Sequence, residues 1–263
     1  MNLCRPDSFK SCAACCGLYN VADATKPSLL NKLRRRTALF GATPRSAGAL
    51  IEYEDRVRSL EGEDPLDPGI HVCEFIGFLD EESRTVGCLL HPLARGNKGV
   101  DFRGLCHYGS VACKLFFCPA WEELDARHRA VLVATIDDWH IYGLIATDLN
   151  FVRAVFSLLE KRLMRLVDES VLSSARAKAI FQEIIGWKND WPFKGPSTVR
   201  QGRYYCRGLA GTEEPGNVPS VDRIVESLRF TFDIQNEMDG AEELILGAAS
   251  RFADSCMDDY GNG

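Results

Sequence analysis

The stretch Ser11-Cys12-Ala13-Ala14-Cys15-Cys16-Gly17 decides how the rest of this chain is read. Three thiols fall within five residues, two of them adjacent. A single cysteine behaves as a small hydrophobe and can fill a core. Adjacent residues, however, seldom face the same way, so this spacing makes a poor core. Sulfurs crowded like this are better suited to holding something other than each other, and a metal is the first reading.

The cysteine inventory outward from that stretch points the same way. Of eleven cysteines, nine lie at or before position 118: Cys4, Cys12, Cys15, Cys16, Cys73, Cys88, Cys106, Cys113 and Cys118. Only Cys206 and Cys256 lie beyond. A secreted disulfide framework crowds its cysteines too, but that class is short and carries a signal peptide. Here Met1 to Asp7 shows no basic start followed by an apolar run. The longest apolar stretch, Val131 to Ile136, is far too short to span a bilayer. The expectation is a cytoplasmic chain with no membrane association and with reduced thiols free to ligate.

At 263 residues, 46% of them apolar, the chain can bury a sizeable core as one large domain or two smaller ones. A net charge of −6 with both signs interspersed argues against a general nucleic-acid binder. The one basic cluster, Arg34-Arg35-Arg36, reads as a solvated helix face.

Apolar spacing then divides the chain. Leu29, Leu30, Leu33 and Phe40 predict a short helix; Leu50, Tyr53, Val57 and Leu60, opened by Pro44 and Ser46, predict a second. Residues 72–79 and 85–90, joined by Asp80-Glu81-Glu82-Ser83, read as a hairpin carrying Cys73 and Cys88. His91 to Gly109 reads as a long loop, and loops of that length inside compact domains usually have a job. Beyond it helices dominate. One is expected over Trp121 to Thr135, and another after an Asp148 N-cap through Val152, Phe156, Leu159, Leu163 and Leu166. A third face is Ala177, Ile180, Phe181, Ile184 and Ile185. An irregular stretch from Trp187 to Gly216 follows, with a short strand near Tyr204-Tyr205-Cys206. Two closing helices run through Val221, Val225, Leu228 and Phe232, and through Leu244, Ile245, Ala248 and Phe252, the last opened by a capping box of Asp239 and Glu242. The fold class expected is mainly α: an irregular cysteine-rich half with a small β-hairpin, residues 1–120, packed on a C-terminal helical bundle, residues 121–263. The cysteine half should owe its order to ligand bonds, the helical half to its own apolar faces.

Thiolates are soft ligands that select zinc, cuprous copper or iron–sulfur clusters. A structural zinc site usually pairs two C-x2-C knuckles, and only Cys12 with Cys15 has that form. Cys113-x4-Cys118 is wider, and Cys118-Pro119 echoes the Cys-Pro that ends bacterial ferredoxin runs. Thiolate metal binding is therefore expected, with the metal open. The ligand set is drawn from Cys12, Cys15, Cys16, Cys88, Cys113 and Cys118, with Cys73 and Cys106 in reserve and Cys206 and Cys256 as ordinary thiols.

Four ordered segments also resemble a known family. Cys12-x2-Cys15-Cys16-Gly17, Cys73-Glu74-Phe75, Gly87-Cys88-Leu89-Leu90-His91-Pro92 and Cys113-Lys114-Leu115-Phe116 together are similar to the YkgJ-type CxxCxxCC cysteine-cluster family of zinc- or iron-chelating proteins. The likeness covers residues 9 to 120. It departs at Phe9, where the family's leading motif has its first cysteine; either Cys4 substitutes for it or the site uses fewer ligands. Most of that family has no assigned activity. A related cysteine arrangement in flagellin lysine methylases is linked to an iron–sulfur cluster, and the resemblance thus implies an iron–sulfur cluster slightly ahead of zinc.

Other residues have plainer readings. His91 and His107 lie near Cys88 and Cys106 and are candidates to complete a mixed coordination sphere. His128, between two arginines, reads as surface. Asp137-Asp138-Trp139-His140 reads as an Asp-rich helix N-terminus rather than an acid/base pair. Trp187 and Trp191 read as packing residues. No phosphate-cradling glycine loop, nucleophile elbow or HExxH occurs, so no catalytic residue is assigned. Three function classes follow: an iron–sulfur or metal-dependent redox protein or enzyme, a non-catalytic interaction protein stapled by zinc, and a carrier that binds and passes on its metal.

Overall fold

The computed structural model describes residues 4–7, 10–62, 65–106, 109, 113, 119–194, 220–231 and 238–258. The protein is mainly helical with one small antiparallel sheet. It divides into two compact units, one formed by residues 2–118 with 138–140 and the other by 119–137 with 141–263.

In the N-terminal unit, helix α1 (Lys26–Gly41) starts with Pro27 in its first turn, where a missing amide is harmless. Helix α2 (Ala47–Glu61) ends at Gly62, which takes the left-handed conformation. Strands β1 (Ile76–Phe78) and β2 (Val86–Cys88) pair antiparallel, with Ile76 opposite Cys88. They are shorter than the two runs expected, so Cys73 precedes the sheet. The Asp80 carboxylate accepts from the Arg84 and Thr85 amides and closes the turn. Phe40, Leu50, Tyr53, Val57, Phe75, Leu89 and Leu90 form a core between the helices and the hairpin, with Tyr53 stacked on Phe75 at 5.2 Å. Leu60, expected on the same face of α2, lies in its last turn and is 51% exposed.

Arg36 corrects the reading of the basic cluster. Leu29, Leu33, Arg36 and Phe40 step by three and four, so Arg36 falls on the buried stripe of α1 and is 2% exposed. There it forks onto Glu61, with contacts of 2.8 and 2.5 Å. Arg34 and Arg35 do face solvent.

In the helical unit, the helix expected over Trp121 to Thr135 is two: α3 (Pro119–Glu123) and α4 (Ala126–Thr135). The Asp125 carboxylate accepts from the Arg127 amide and starts the second afresh. Helix α5 (Trp139–Ala146), whose first two residues belong to the N-terminal unit, is capped by Asp138, which accepts from the His140 amide, as the Asp-rich N-terminus suggested. Asp148 caps α6 (Leu149–Leu163) by accepting from the Phe151 amide at 3.0 Å. Met164 turns left-handed and ends α6, so Leu166 lies outside the helix and is 61% exposed. The Ser174 hydroxyl caps α7 (Ala175–Gly186), whose five expected apolar residues are all buried.

Helices α8 (Ser220–Thr231) and α9 (Met238–Asp258) complete the unit. Asp239 lies inside α9, not at its cap, and Phe232 and Tyr204 to Cys206 lie outside the described residues. Helix α6 packs on α8 and α9, and α7 on α9. Trp187 and Trp191 are buried edge to face, 5.5 Å apart. His128, expected at the surface, is instead half-buried, its ring stacked 3.9 Å from Phe156. Among the described residues no single helix is long and apolar enough to cross a membrane; α5 and α6 reach that length only as a pair bent by 90°.

Candidate metal centre

Four chain segments of the N-terminal unit carry its described candidate cysteines and are tied to one another by backbone bonds and packing. The first is the Cys12–Cys16 stretch. Residues Ala14–Cys16 form one 3-10 turn, closed by the Gly17 amide donating to the Ala14 carbonyl at 2.8 Å. Ala13 and Ala14 face inward and leave the flanking thiols outside the apolar core. Gly17 has a φ of 81°, and a Cβ there would stand 2.2 Å from the His71 carbonyl oxygen. Only glycine allows that approach. The approach lets the Cys73 amide donate to the Cys16 carbonyl at 2.9 Å, which sets the second segment against the first. The N-terminal arm returns as well: the Cys12 amide donates to the Cys4 carbonyl at 2.9 Å, and buried Lys10 pairs with Asp7.

Cys73 is placed by two supports. The Arg36 guanidinium donates to the Cys73 carbonyl at 2.9 Å, and the Tyr53 hydroxyl donates to the neighbouring Glu74 carbonyl at 3.1 Å. Cys88 closes β2, and with Cys73 and Cys106 it lies half-buried against the apolar core. The long loop that follows is tied down over residues 91–106. Asn97, 2% exposed, donates to the Leu89 and His91 carbonyls and accepts from Arg45 at 3.0 Å. The loop then returns along the hairpin, the Phe102 amide donating to the Leu90 carbonyl at 3.0 Å.

A second glycine shapes the end of this loop. A Cβ on Gly109 would meet the Arg103 carbonyl oxygen at 1.7 Å and the Cys106 sulfur at 2.7 Å. The Cys106 thiol donates to that same carbonyl at 3.4 Å. Cys113 is exposed, and its carbonyl accepts from Arg103 at 3.3 Å.

The electrostatics tie these thiols together. A hydrogen bond between Cys15 and Cys16 pulls the Cys15 thiol down and pushes Cys16 well up, with burial and the charges of Cys73 and Cys88 adding to the rise. Burial, then Cys88, raises Cys73 well above the ordinary thiol range. Burial raises Cys88 to about 11, with Cys113 and Cys106 contributing. Burial raises Cys113 too, and Cys15 adds to it. Each of Cys15, Cys16, Cys73, Cys88, Cys106 and Cys113 is thus linked by charge to at least one other. None of the described cysteines is in a disulfide. Among the described residues, no three His, Cys, Asp or Glu side chains stand in geometry that holds a metal ion.

Cys118 and His107, both candidates, lie outside the described residues, as does Cys206. Cys256 is buried in α9, in the other unit. His91 stands near the thiols with its Nδ1 accepting from the Leu93 amide at 3.1 Å; burial and then Arg103 keep it neutral by lowering its pKa. Sequence reasoning missed Arg36, Asp101 and Arg103, which sit in ordinary polar contexts along the chain. A cleft of about 300 Å³ in the same unit is lined by Arg34, Thr37, Phe78, Glu81 and Arg95 among others, and no cysteine reaches it.

No family model, no curated protein and no solved structure matches this chain.

Proposed function

We propose that the N-terminal unit is a thiolate metal-binding module that holds an iron–sulfur cluster, with zinc as the alternative metal, and that the protein serves redox or metal-dependent chemistry. One observation carries this reading: six thiols from four separate segments are linked in pairs by their mutual charge, and none of the described cysteines is in a disulfide. Buried thiols of like charge type are unfavourable neighbours once ionised, because each desolvated negative charge raises the next. A soft cation reverses that balance and replaces their protons. The donor chemistry fits such a group, since thiolates select zinc and iron–sulfur centres. The supply of thiols exceeds the four that one zinc takes, and irregular loops of this sort are the usual setting of cluster ligands. Bound there, an iron–sulfur cluster supplies one-electron transfer.

The chain's own residues have separable tasks in this reading. Gly17 permits the contact that seats Cys16 beside Cys73. Arg36 and Tyr53 hold the Cys73 backbone. Asn97 shapes the loop that brings Cys106 back to Cys88. Cys15 and Cys113 are the exposed thiols among the described cysteines.

The test is anaerobic purification with iron, zinc and acid-labile sulfide analysis and a visible spectrum, repeated for Cys15→Ser, Cys88→Ser and Cys256→Ala. Metal near stoichiometric in the native chain and in Cys256→Ala, but lowered in the other two, is the expected outcome. Broad visible absorption with sulfide selects the cluster; colourless protein with zinc selects the alternative. Metal released to a mild chelator without unfolding would indicate a carrier. A native chain that holds neither metal nor sulfide after anaerobic reconstitution overturns the reading.

A further inference from the structure

Arg103 contacts the thiol locus in more ways than any other charged residue described there. Its Nε and Nη2 fork onto Asp101 at 2.9 and 2.8 Å, which fixes the plane of the guanidinium. The remaining nitrogen, Nη1, donates to the Cys113 carbonyl at 3.3 Å. Its own carbonyl accepts from both the amide and the thiol of Cys106, at 3.3 and 3.4 Å. The side chain is only 20% exposed. One residue thus straps the Cys106 and Cys113 limbs together and sets a permanent cation beside them.

A thiolate-ligated zinc or iron–sulfur centre carries net negative charge, and a partly buried anion is unfavourable unless it is paired. The thiols around this locus supply no positive charge. The guanidinium suits the role because its charge is permanent and its fork geometry is rigid. Asp101 spends its charge on the outer edge of the fork and acts as the orienting group.

We infer that Arg103, held by Asp101, is the positioning residue and counter-charge for an anionic metal–thiolate centre formed by the surrounding cysteines. This rests on the metal-binding reading proposed above. It assigns Arg103 no contact with the metal itself.

The experiment uses the full chain, reconstituted anaerobically, and follows metal loss to excess EDTA. Removing an outer-shell partner of a metal site typically lowers metal affinity by 10–100-fold. Arg103→Gln should therefore lose metal about tenfold faster than the native chain. Arg103→Lys keeps the charge without the fork and should fall between the two. If the centre is redox-active, Arg103→Gln should also lower its reduction potential, because reduction adds negative charge that no cation then offsets. Native-like circular dichroism of the metal-free variants separates this from misfolding. Asp101→Asn, which keeps the cation but loosens the fork that orients it, should lose metal at a rate between the native chain and Arg103→Gln. Should Arg103→Gln fail to fold, Arg103→Lys and Asp101→Asn still decide: native retention in both overturns the inference. Native retention in Arg103→Gln likewise overturns it. Both failures differ from a native chain without metal, which would instead remove the metal-binding reading.

Discussion

In the helical unit, Lys188 and Asp148 are both completely buried and meet at 2.8 Å, whereas in the N-terminal unit Cys16, Cys73 and Cys88 lie side by side as half-buried acids of one kind. The first cluster is closed. The Asp148 carboxylate also accepts from the Ser227 hydroxyl and from the Phe151 amide, and Lys188 donates to the hydroxyl and carbonyl of Ser227. Burial alone would raise Asp148, yet Lys188 and these donors hold it below the ordinary carboxylate range. The second cluster is open. The hydrogen bond with Cys15 pushes Cys16 up, burial pushes Cys73 and Cys88 up, and their mutual charges add to the rise. Arg103 opposes it at Cys88 without reversing it, so each keeps its proton. A buried polar group that satisfies itself is architecture. A set of buried acids that cannot ionise together is shaped for something with the opposite charge.

The contrast is broken most severely by opening the closed cluster. Lys188, at the end of α7, joins the cap of α6 at Asp148, 40 residues away, to the face of α8 at Ser227, which is 79 residues from Asp148. Truncating one member leaves the other as an unpaired buried charge, which costs about 3–5 kcal/mol. Lys188→Ala and Asp148→Ala should each show that loss in urea unfolding, and the double variant should lose less than their sum, because the pair is one interaction. Independent, additive losses would mean that the two charges do not depend on each other.

Metal removal is the next largest effect, and it should touch only the open cluster. A ligand present at a hundredfold excess over its Kd stabilises the form that binds it by about 2.7 kcal/mol. Helices α1 and α2 share an apolar core of their own with the hairpin. The order lost on stripping should therefore be confined to residues 10–17 and 91–106, while α1, α2 and the helical unit keep their amide protection. Hydrogen exchange on metal-loaded and metal-free protein reads this directly. Equal exchange in both states would leave the thiols as passengers on a fold that does not need them. The whole cysteine half was expected from the sequence to depend on ligand bonds; the shared core narrows that expectation to the arm and the loop.

Gly17→Ala should act through both stability and binding. Alanine at a φ of 81°, with a backbone oxygen 2.2 Å from its Cβ, forces the Cys12–Cys16 turn away from His71. The loss should exceed about 1 kcal/mol, the range in which such a change is favourable where the conformation suits alanine. Metal retention should fall with it, since the Cys16–Cys73 backbone bond is what the glycine permits. A variant that is destabilised yet holds metal normally would show that this bond does not seat the ligands.

How far the sequence carried can be seen from the same two clusters. Local signals were reliable. The apolar stripe of α7, the Asp148 cap and the paired tryptophans are properties of residues within a turn or two of each other, and they appear where expected. Long-range pairing left no local trace. Arg36 looked solvated among other arginines because its partner Glu61 is 25 residues away. Asp148 read only as a cap because Lys188 and Ser227 are distant. Helix ends slipped where one side chain decided them: Asp125 split a helix, and a left-handed Met164 stopped another before Leu166. The crowding of cysteines early in the chain was visible, but nothing in their spacing revealed that Gly17 and Gly109 make their approach possible.

The smallest effect concerns His128, the helical unit's one described histidine outside any closed network of this kind. Its ring lies on Phe156 at 3.9 Å, and its Nε2 faces the Arg127 guanidinium at 3.3 Å, which suits a neutral ring accepting from that donor. Burial first, and then the Arg127 charge, lowers its pKa below the ordinary value of 6.5; Asp125 and Glu160 oppose this more weakly, and Arg153 reinforces it. The folded chain therefore binds this proton less readily than the unfolded chain does. As pH falls through 6.5 the unfolded state takes up the proton first, so stability declines from there until the folded pKa is reached. Above that window His128 contributes no slope. Thermal unfolding of the native chain at pH 7.5 and pH 5.5 should show a lower midpoint at the acid value, and His128→Gln, which cannot take the proton, should narrow that gap. The metal-free protein serves for both, so that thiol ligation does not add its own pH dependence. An unchanged gap in His128→Gln would mean that the acid sensitivity of the helical unit lies elsewhere and that the stacked ring is only packing.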